Sequence, residues 1–371
     1  MFAMANSKPH STRKRIISHV YSKSYLQNSP EVHQISKVMI FERLLPLLDE
    51  VASNKQSLDV LELNFSSTMD FIIAFIFGVQ NGTNFIQNLS QRQHWLSVYQ
   101  SRRPFRFWAG ELPDVQSFFK RIGINIVPKL VNAASKELEN WTLAKCEAAS
   151  LSTKSSRAES SNHQAWTEPI VYNQLSSSLQ TPSTKETWPH PLSLSIATEL
   201  HDHLAAGHET SGITLTYLFH ELSLRPKLQK QLRSEFLTLS PSLLYKDPSA
   251  DIPAPRTIDA LPLLHACLME TLRIHAAIPG PQPRITPPTP TSLAGSPPLP
   301  PGIRVSAQAY TLHRNANVFP DPEAWKPERW LEASEEKKAE MGRWFWAFGS
   351  GGRMCVGSNF AMQGMHPFPK L

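Results

Sequence analysis

The chain has 371 residues, 41% of them hydrophobic, and 37 Lys and Arg against 31 Asp and Glu give a formal net charge of +6. That length and apolar fraction suit a globular protein with an ample core, either one large domain or two ordinary ones. Three cysteines exclude a disulfide framework and point to a reducing compartment, and the excess positive charge is too dispersed to suggest nucleic-acid binding.

In chain order, the first eight residues lack the apolar run of a signal peptide. Residues 10–27 spell a basic amphipathic helix followed by a Ser/Lys break, as readily a solvated face as a docking face on charge alone. Two helices are expected next. One runs from about Pro30 to Ser53, with Ser29 as its N-cap and Pro30 at the tolerated first position; the other runs from Val60 to Val79. The apolar run Phe71 to Val79 is about half the length of a membrane span and ends at Gly78 and Asn81, so it reads as a core helix. No run in the chain reaches the length of a span. Leu112 to Ala149 predicts two more helices, broken at Gly123 and Pro128, with Val127, Leu130, Val131, Ala134 and Leu138 at helical spacing. The Ser/Thr/Pro-rich residues 150–190 read as a flexible connection, interrupted by a short element near Val171 to Leu175.

Leu192 to Ser223 is the longest strongly helical stretch. Leu192, Ile196, Leu200 and Leu204 make an i, i+4 stripe continued by Leu215, Leu218, Phe219 and Leu222. In its middle, Ala206 and Gly207 offer no bulk, and Thr210 lies one turn on, over the same face. A hydroxyl there can bond the carbonyl four residues back and loosen the helix, leaving room for a small ligand and water. His201, His203 and His208 lie on this helix at spacings that put His203 on another face, so they read as satisfied or solvated side chains and not as metal ligands. A cationic helix from Pro226 to Leu237 and another from Ile258 to His275 follow. The second contains Glu270-Thr271-Leu272-Arg273, an i, i+3 pair that by itself is an ordinary surface pair. Prolines concentrate between Pro241 and Pro327, and Ile278 to Thr286 among them reads as an extended edge segment. Pro300 to Tyr310 reads as a turn into a strand.

Near the end comes a glycine-rich loop carrying one cysteine into the start of a short helix, Gly357 to Gln363, with Ser358 or Asn359 as its cap. Glycines at 349, 351, 352 and 357 permit positive φ and close approach of a flat ligand. A sulfur at a helix N-terminus meets free N–H groups, which favour thiolate, and Arg353 adds a fixed positive charge able to hold a carboxylate. Phe348, Gly351, Arg353, Cys355 and Gly357 complete the pattern F-x-x-G-x-R-x-C-x-G. It resembles the haem-binding loop of the cytochrome P-450 (haem-thiolate monooxygenase) family. Three further motifs stand in that family's order. The run Ala206-Gly207-His208-Glu209-Thr210-Ser211 resembles its oxygen-activation motif, and Glu270, Arg273 and Arg329 (the last within Pro327-Glu-Arg-Trp330) resemble its Glu-Arg-Arg triad.

The resemblance implies a fold that is mainly α with small β-sheets. Residues 1–371 would form a single haem-thiolate monooxygenase domain, truncated at both ends. The membrane anchor, the first helices and the first sheet strands would precede Met1; a closing hairpin would follow Leu371, with the last helix broken at Pro367. It implies haem b as cofactor with Cys355 as proximal metal ligand, Phe348, Gly351 and Gly357 shaping the loop, and Arg353, Arg284, Lys14 and Arg15 holding the propionates. His10 stands where many relatives carry tryptophan. Thr210 would hydrogen-bond the oxygen under activation and Glu209 would help relay protons. Glu270, Arg273 and Arg329 would be scaffolding for the cysteine loop, with no acid–base role. His201 to Ala206 and Ala276 to Gln282 would line the pocket. The implied reaction inserts one atom of O2 into a small apolar organic substrate, by hydroxylation or epoxidation, with electrons from an NADPH-dependent flavoprotein reductase. The style is that of a fungal microsomal member, which implies the cytoplasmic face of the endoplasmic reticulum and secondary metabolism. Two readings compete. A non-catalytic relative would keep the motifs but bind haem poorly, and a scaffold using residues 150–190 as a tether would tolerate Cys355→Ala.

Overall fold

The computed structural model describes Met4 and residues 6–158, 168–180, 191–241 and 251–365. These fall into two compact units, Met1–Glu209 and Thr210–Leu371, divided inside one helix. The mainly helical class read from the sequence is what the structure shows.

The first unit opens with α1 (Ser7–Ser18) and α2 (Lys23–Asn28), then α3 (Pro30–Lys37), which the Ser29 hydroxyl caps by accepting from the Val32 N–H. A π-helical stretch, Val38–Leu44, leads into α4 (Leu45–Ser53). The expected helix from Pro30 to Ser53 is therefore continuous but widened in its middle. Pro46 has no N–H to give to the turn before it, and the Leu45 N–H reaches back to the Ile40 carbonyl instead.

α5 (Val60–Phe77) is the core helix. Asp59 accepts from the Glu62 N–H at its start, and Gly78, at φ +80°, ends it. Its apolar residues lie on every side, and Ile73 to Phe77 have no exposed surface. Each Ile and Phe among them contributes about 1.5–3 kcal/mol on burial. α5 packs against α3 and against two later helices, Lys129–Ala158 and Ile170–Gln180. By length and hydropathy it could cross a membrane, but 83% of that window is buried inside the protein.

α6 (Leu89–Ser101), α7 (Arg106–Glu111), α8 (Pro113–Arg121) and α9 (Lys129–Ala158) complete this layer. The breaks expected at Gly123 and Pro128 are present. Of the apolar residues at helical spacing there, Val127, Val131, Ala134 and Leu138 are buried, whereas Leu130 points out at 72% exposure. The Ser-rich stretch holds more structure than its composition suggests. α9 runs on to Ala158, and α10 (Ile170–Gln180) buries Val171, Leu175 and Leu179, an i, i+4, i+8 stripe against α5. The remainder of the expected flexible connection, residues 159–167 and 181–190, lies outside the described residues, as does the break at Pro367.

α11 (Leu192–Ser223) has the bounds read from the sequence and is helical throughout. The second unit continues with α12 (Pro226–Phe236). The helix expected from Ile258 to His275 is two, α13 (Pro255–Asp259) and α14 (Pro262–Ile274), because Leu261 before Pro262 is held extended at ψ 107°. β1 (Pro281–Ile285) pairs antiparallel with β2 (Arg304–Gln308), Pro283 opposite Ser306. In a two-stranded ribbon both strands are edges, so the prolines of β1 cost little. α15 (Ala309–Leu312), α16 (Glu328–Glu332), α17 (Glu335–Trp344) and α18 (Ser358–Met365) follow.

Candidate active site

The second unit is built around one buried ion cluster. Glu270 and Arg273 sit one turn apart on α14 with no exposed surface. Arg273 places all five of its N–H groups: Nε and Nη2 fork onto the Glu270 carboxylate at 2.9 and 2.8 Å, Nη1 donates to the carbonyls of His313 and Pro322, and Nη2 also reaches Ala324. Glu270 accepts in addition from the Lys326 N–H, Arg329 Nε and the Trp330 indole. Burial alone would raise its pKa, but the Arg273 bonds and charge, with Lys326 N–H and Arg329, outweigh it and hold the carboxylate below its ordinary range. The expected cluster is thus assembled, and it ties α14 to residues 313–330. Every lone pair is used structurally.

The cysteine loop lies downstream. Gly349 and Gly351 take positive φ, +67° and +66°, so two of the four glycines need the freedom they have. The Gly349 N–H closes a turn onto the Trp346 carbonyl at 3.0 Å, and the Cys355 N–H donates to Phe348 at 2.8 Å. A short 3-10 turn, Gly351–Arg353, precedes the cysteine; α18 follows it, starting at Ser358. A side chain at Gly349 would press on Gln282 of β1, whereas Gly351 and Gly352 face open space. Cys355 is exposed. Cys146 and Cys267 are buried, and burial pushes their thiols up to about 12, which leaves them poor thiolates.

Arg353 is half-buried, and burial together with the neighbouring Arg284 cation pushes its pKa down. Arg284 projects from exposed β1 and spends one N–H on the Pro283 carbonyl. Two guanidinium groups that feel each other's charge favour a dianion or two carboxylates nearby.

In the first unit, Glu209 accepts from the Tyr99 hydroxyl at 2.9 Å and is paired with Arg103, so its carboxylate is anchored to α6 and the segment after it. A carboxylate held by two donors relays no proton until one of them lets go. Gly207 has lost its side chain to helix packing. A Cβ there would lie 2.7 Å from Cγ1 of Ile72 on α5, so the space read as room for a ligand belongs to a neighbouring helix. Thr210 is half-buried, and its carbonyl accepts from the Thr214 hydroxyl. The three α11 histidines each have a hydrogen-bond partner: His201 with Thr142, His203 with Tyr21 and His208 with the Leu204 carbonyl.

On α1, Lys14 is half-buried and Arg15 exposed, while Arg13, which sequence reasoning passed over, is buried 3.7 Å from Glu199 of α11. His10 is buried beside them on α1. His313 had no role assigned to it either. It has no exposed surface and bonds both the Arg273 carbonyl and the Trp346 N–H. It directly follows α15, four residues past Ala309, and a lone histidine there carries no chemical signal by itself.

Comparison with known proteins agrees with this geometry. The Cytochrome P450 family profile matches residues 1–368. The "Cytochrome P450 monooxygenase avaI" of Aspergillus versicolor is 30% identical over 377 residues, spanning 98% of this chain and 81% of that protein. The "Fusicoccadiene C-8 hydroxylase" of Alternaria brassicicola is 33% identical over 166 residues, 45% of this chain and 30% of its own. Among solved structures, a cytochrome P450 designated CYP102L1 superposes with a TM-score of 0.67 at 19% identity, over 95% of this chain and 72% of that one, which is a likeness of fold. With a family match along almost its whole length and a monooxygenase relative over 98% of it, the chain belongs to the cytochrome P-450 family.

Proposed function

We propose that this chain is a haem b-dependent monooxygenase that hydroxylates or epoxidises a small apolar organic substrate, with Cys355 as the iron's thiolate ligand. Family membership implies a haem-iron cofactor, a redox partner and O2. The residues fit that group. A flat dianionic ligand needs an accessible sulfur, a loop without side chains in its way and paired cations, and the second unit has an exposed Cys355, open space at Gly351 and Gly352, and Arg353 beside Arg284. The exposed thiol is the observation that carries the reading, since the other two cysteines are buried and held protonated.

In this assignment Cys355 supplies the sulfur donor from the loop shaped by Phe348, Gly351 and Gly357. Arg353 and Arg284 would hold the propionates; Lys14 and Arg15 carry the same assignment from the family resemblance alone. When bound, haem supplies O2 activation and transfer of one oxygen atom to carbon. Thr210 would offer a hydrogen bond to the oxygen under activation, and Glu209 would help relay protons once its pair with Arg103 opens. Glu270, Arg273 and Arg329 keep the loop's foundation rigid. The electron donor is an NADPH-dependent flavoprotein reductase, and the setting is the cytoplasmic face of the endoplasmic reticulum in secondary metabolism. A relative named as a hydroxylase of a specific carbon supports hydroxylation as the reaction type. In the same reading residues 1–371 act as one functional domain.

The test is a carbon-monoxide difference spectrum of the reduced, purified chain beside Cys355→Ala. A thiolate-type Soret band that the substitution abolishes supports the assignment. A chain that takes up no haem, or a band that survives Cys355→Ala, overturns it.

A further inference from the structure

We propose that His313 is a positioning residue for the Cys355 loop, transmitting the placement of the Arg273 backbone to the Trp346 N–H at the loop's entrance. The proposal rests on the reading of Cys355 as the iron ligand for its functional meaning, but its geometry stands by itself. The His313 ring is buried completely between two partners, with Nδ1 2.7 Å from the Arg273 carbonyl and Nε2 2.7 Å from the Trp346 backbone nitrogen. Trp346 brings an N–H, so Nε2 has to accept. Nδ1 then carries the hydrogen and donates to Arg273. A neutral imidazole in one tautomer satisfies both bonds, and no other protonation state does.

The contact is reciprocal. Arg273 donates from its own side chain to the His313 carbonyl at 2.9 Å, so two residues forty positions apart hold each other by bonds of opposite direction. Phe345 stacks on the imidazole at 5.4 Å and 18°, and Phe319 meets it edge-on, which fixes the ring plane. Burial, helped by the Arg273 and Arg314 cations, pushes the imidazole's pKa down to about 4, consistent with a ring that stays neutral.

Downstream of Trp346 the loop is internally closed. Its carbonyl accepts from Gly349, and Phe348, one residue before that turn's end, accepts from the Cys355 N–H. The register of Cys355 is therefore set by the turn at 346–349, and that turn is pinned where its first N–H lands on His313. The Glu270–Arg273 cluster holds residues 313–330, and His313 carries that rigidity on to the sulfur's loop.

The experiment compares the full chain with His313→Phe, His313→Asn and His313→Gln. Phe keeps the ring volume and loses both bonds. Asn can still donate at the Nδ1 position but falls short of Trp346, while Gln can place its carbonyl oxygen near the Nε2 position. The first readout needs no haem and is amide hydrogen exchange, followed at Trp346 and Cys355 and, as a control, at Lys326, whose N–H bonds Glu270. Removing the acceptor of a buried N–H should speed exchange at Trp346 and Cys355 by about tenfold to a hundredfold in Phe and Asn. Gln should restore most of it, and Lys326 should stay unchanged. The second readout is the thiolate-type Soret fraction at equal haem content, which should fall in Phe and Asn and recover in Gln. Equal acceleration at Lys326, or an unchanged Cys355 amide with only a lower melting temperature, would show a merely structural histidine and overturn the proposal. Failure of the wild-type chain to form the thiolate band would sink the ligand assignment, while hydrogen exchange would still decide the role of His313.

Discussion

Gly207 of α11 and Ile72 of α5 occupy one space. A methyl group on Gly207 would lie 2.7 Å from Cγ1 and 3.1 Å from Cδ1 of the isoleucine. In a free helix, Gly→Ala gains about 1 kcal/mol. Here the overpacking cost of about 1–3 kcal/mol exceeds that gain. Gly207→Ala should therefore lower the denaturation midpoint, and Ile72→Ala in the same chain should recover part of the loss, because it removes the two nearest of the three crowding atoms and leaves only Cβ at 3.2 Å. A double-mutant cycle measures the coupling. Additive losses would show that the glycine serves something other than this contact.

Glu270 is held by five donors in a site with no exposed surface. Breaking such a buried pair from one side leaves an uncompensated guanidinium and costs about 3–5 kcal/mol. Glu270→Gln should approach that loss, read as a lower urea midpoint at unchanged slope. Arg329→Ala removes one of the five donors at the cluster's edge and leaves Arg273 paired, so it should cost distinctly less. Equal losses would mean that the cluster acts only as a whole.

The buried His313 gives the protein a pH dependence of definite sign. Its folded pKa is depressed to about 4 from an ordinary 6.5, with Arg273 and Arg314 against it and Glu270 nearby in its favour. Between those values the unfolded chain binds a proton that the folded chain refuses. Its contribution is complete above 6.5 and is lost as pH falls toward 4, at most about 3 kcal/mol by linkage. Denaturation midpoints at pH 7 and 4.5 should differ more in the wild-type chain than in His313→Gln. An identical pH difference in both would assign the slope to other titrating groups, the buried Asp70 among them.

The sequence made local order and motif spacing readable, and it hid what depends on distant partners. The bounds of α11 and the Ser29 cap follow from periodicity and a single hydroxyl, and both are present as expected. The Glu270–Arg273 pair was readable only with Arg329 beside it, because an i, i+3 pair gains meaning from burial. The donors from Lys326 and Trp330 come from more than fifty residues away. α6 went unread because its buried face mixes Arg92 with Trp95, Leu96 and Tyr99, which blurs the apolar stripe. Asp70 hides inside an apolar run. It is buried completely and organises the turn after α5 through the Thr83 hydroxyl and the N–H groups of Phe85 and Ile86, partners supplied by tertiary contact. Serine-rich composition shortened the element expected near Val171 to Leu175, where three apolar residues at four-residue spacing seat the longer helix α10 on α5.

The three cysteines differ enough to be told apart by chemistry alone. Alkylation by iodoacetamide requires access and a thiolate fraction. Cys146 and Cys267 have neither, being buried with thiols pushed up to about 12, so at pH 8 roughly one in ten thousand of either is ionised. Cys355 is exposed at the head of α18. In the folded chain a single label should enter quickly at Cys355 and be absent from Cys355→Ser, while the other two should react only after denaturation, as peptide mass spectrometry would show. Loading with haem should then protect the labelled position in the wild-type chain, because a sulfur bound to iron cannot attack the reagent. Fast labelling at Cys146 or Cys267 in the native protein would contradict the burial seen in the structure. Labelling of Cys355 that haem leaves untouched would separate the exposed sulfur from the metal site it is assigned to.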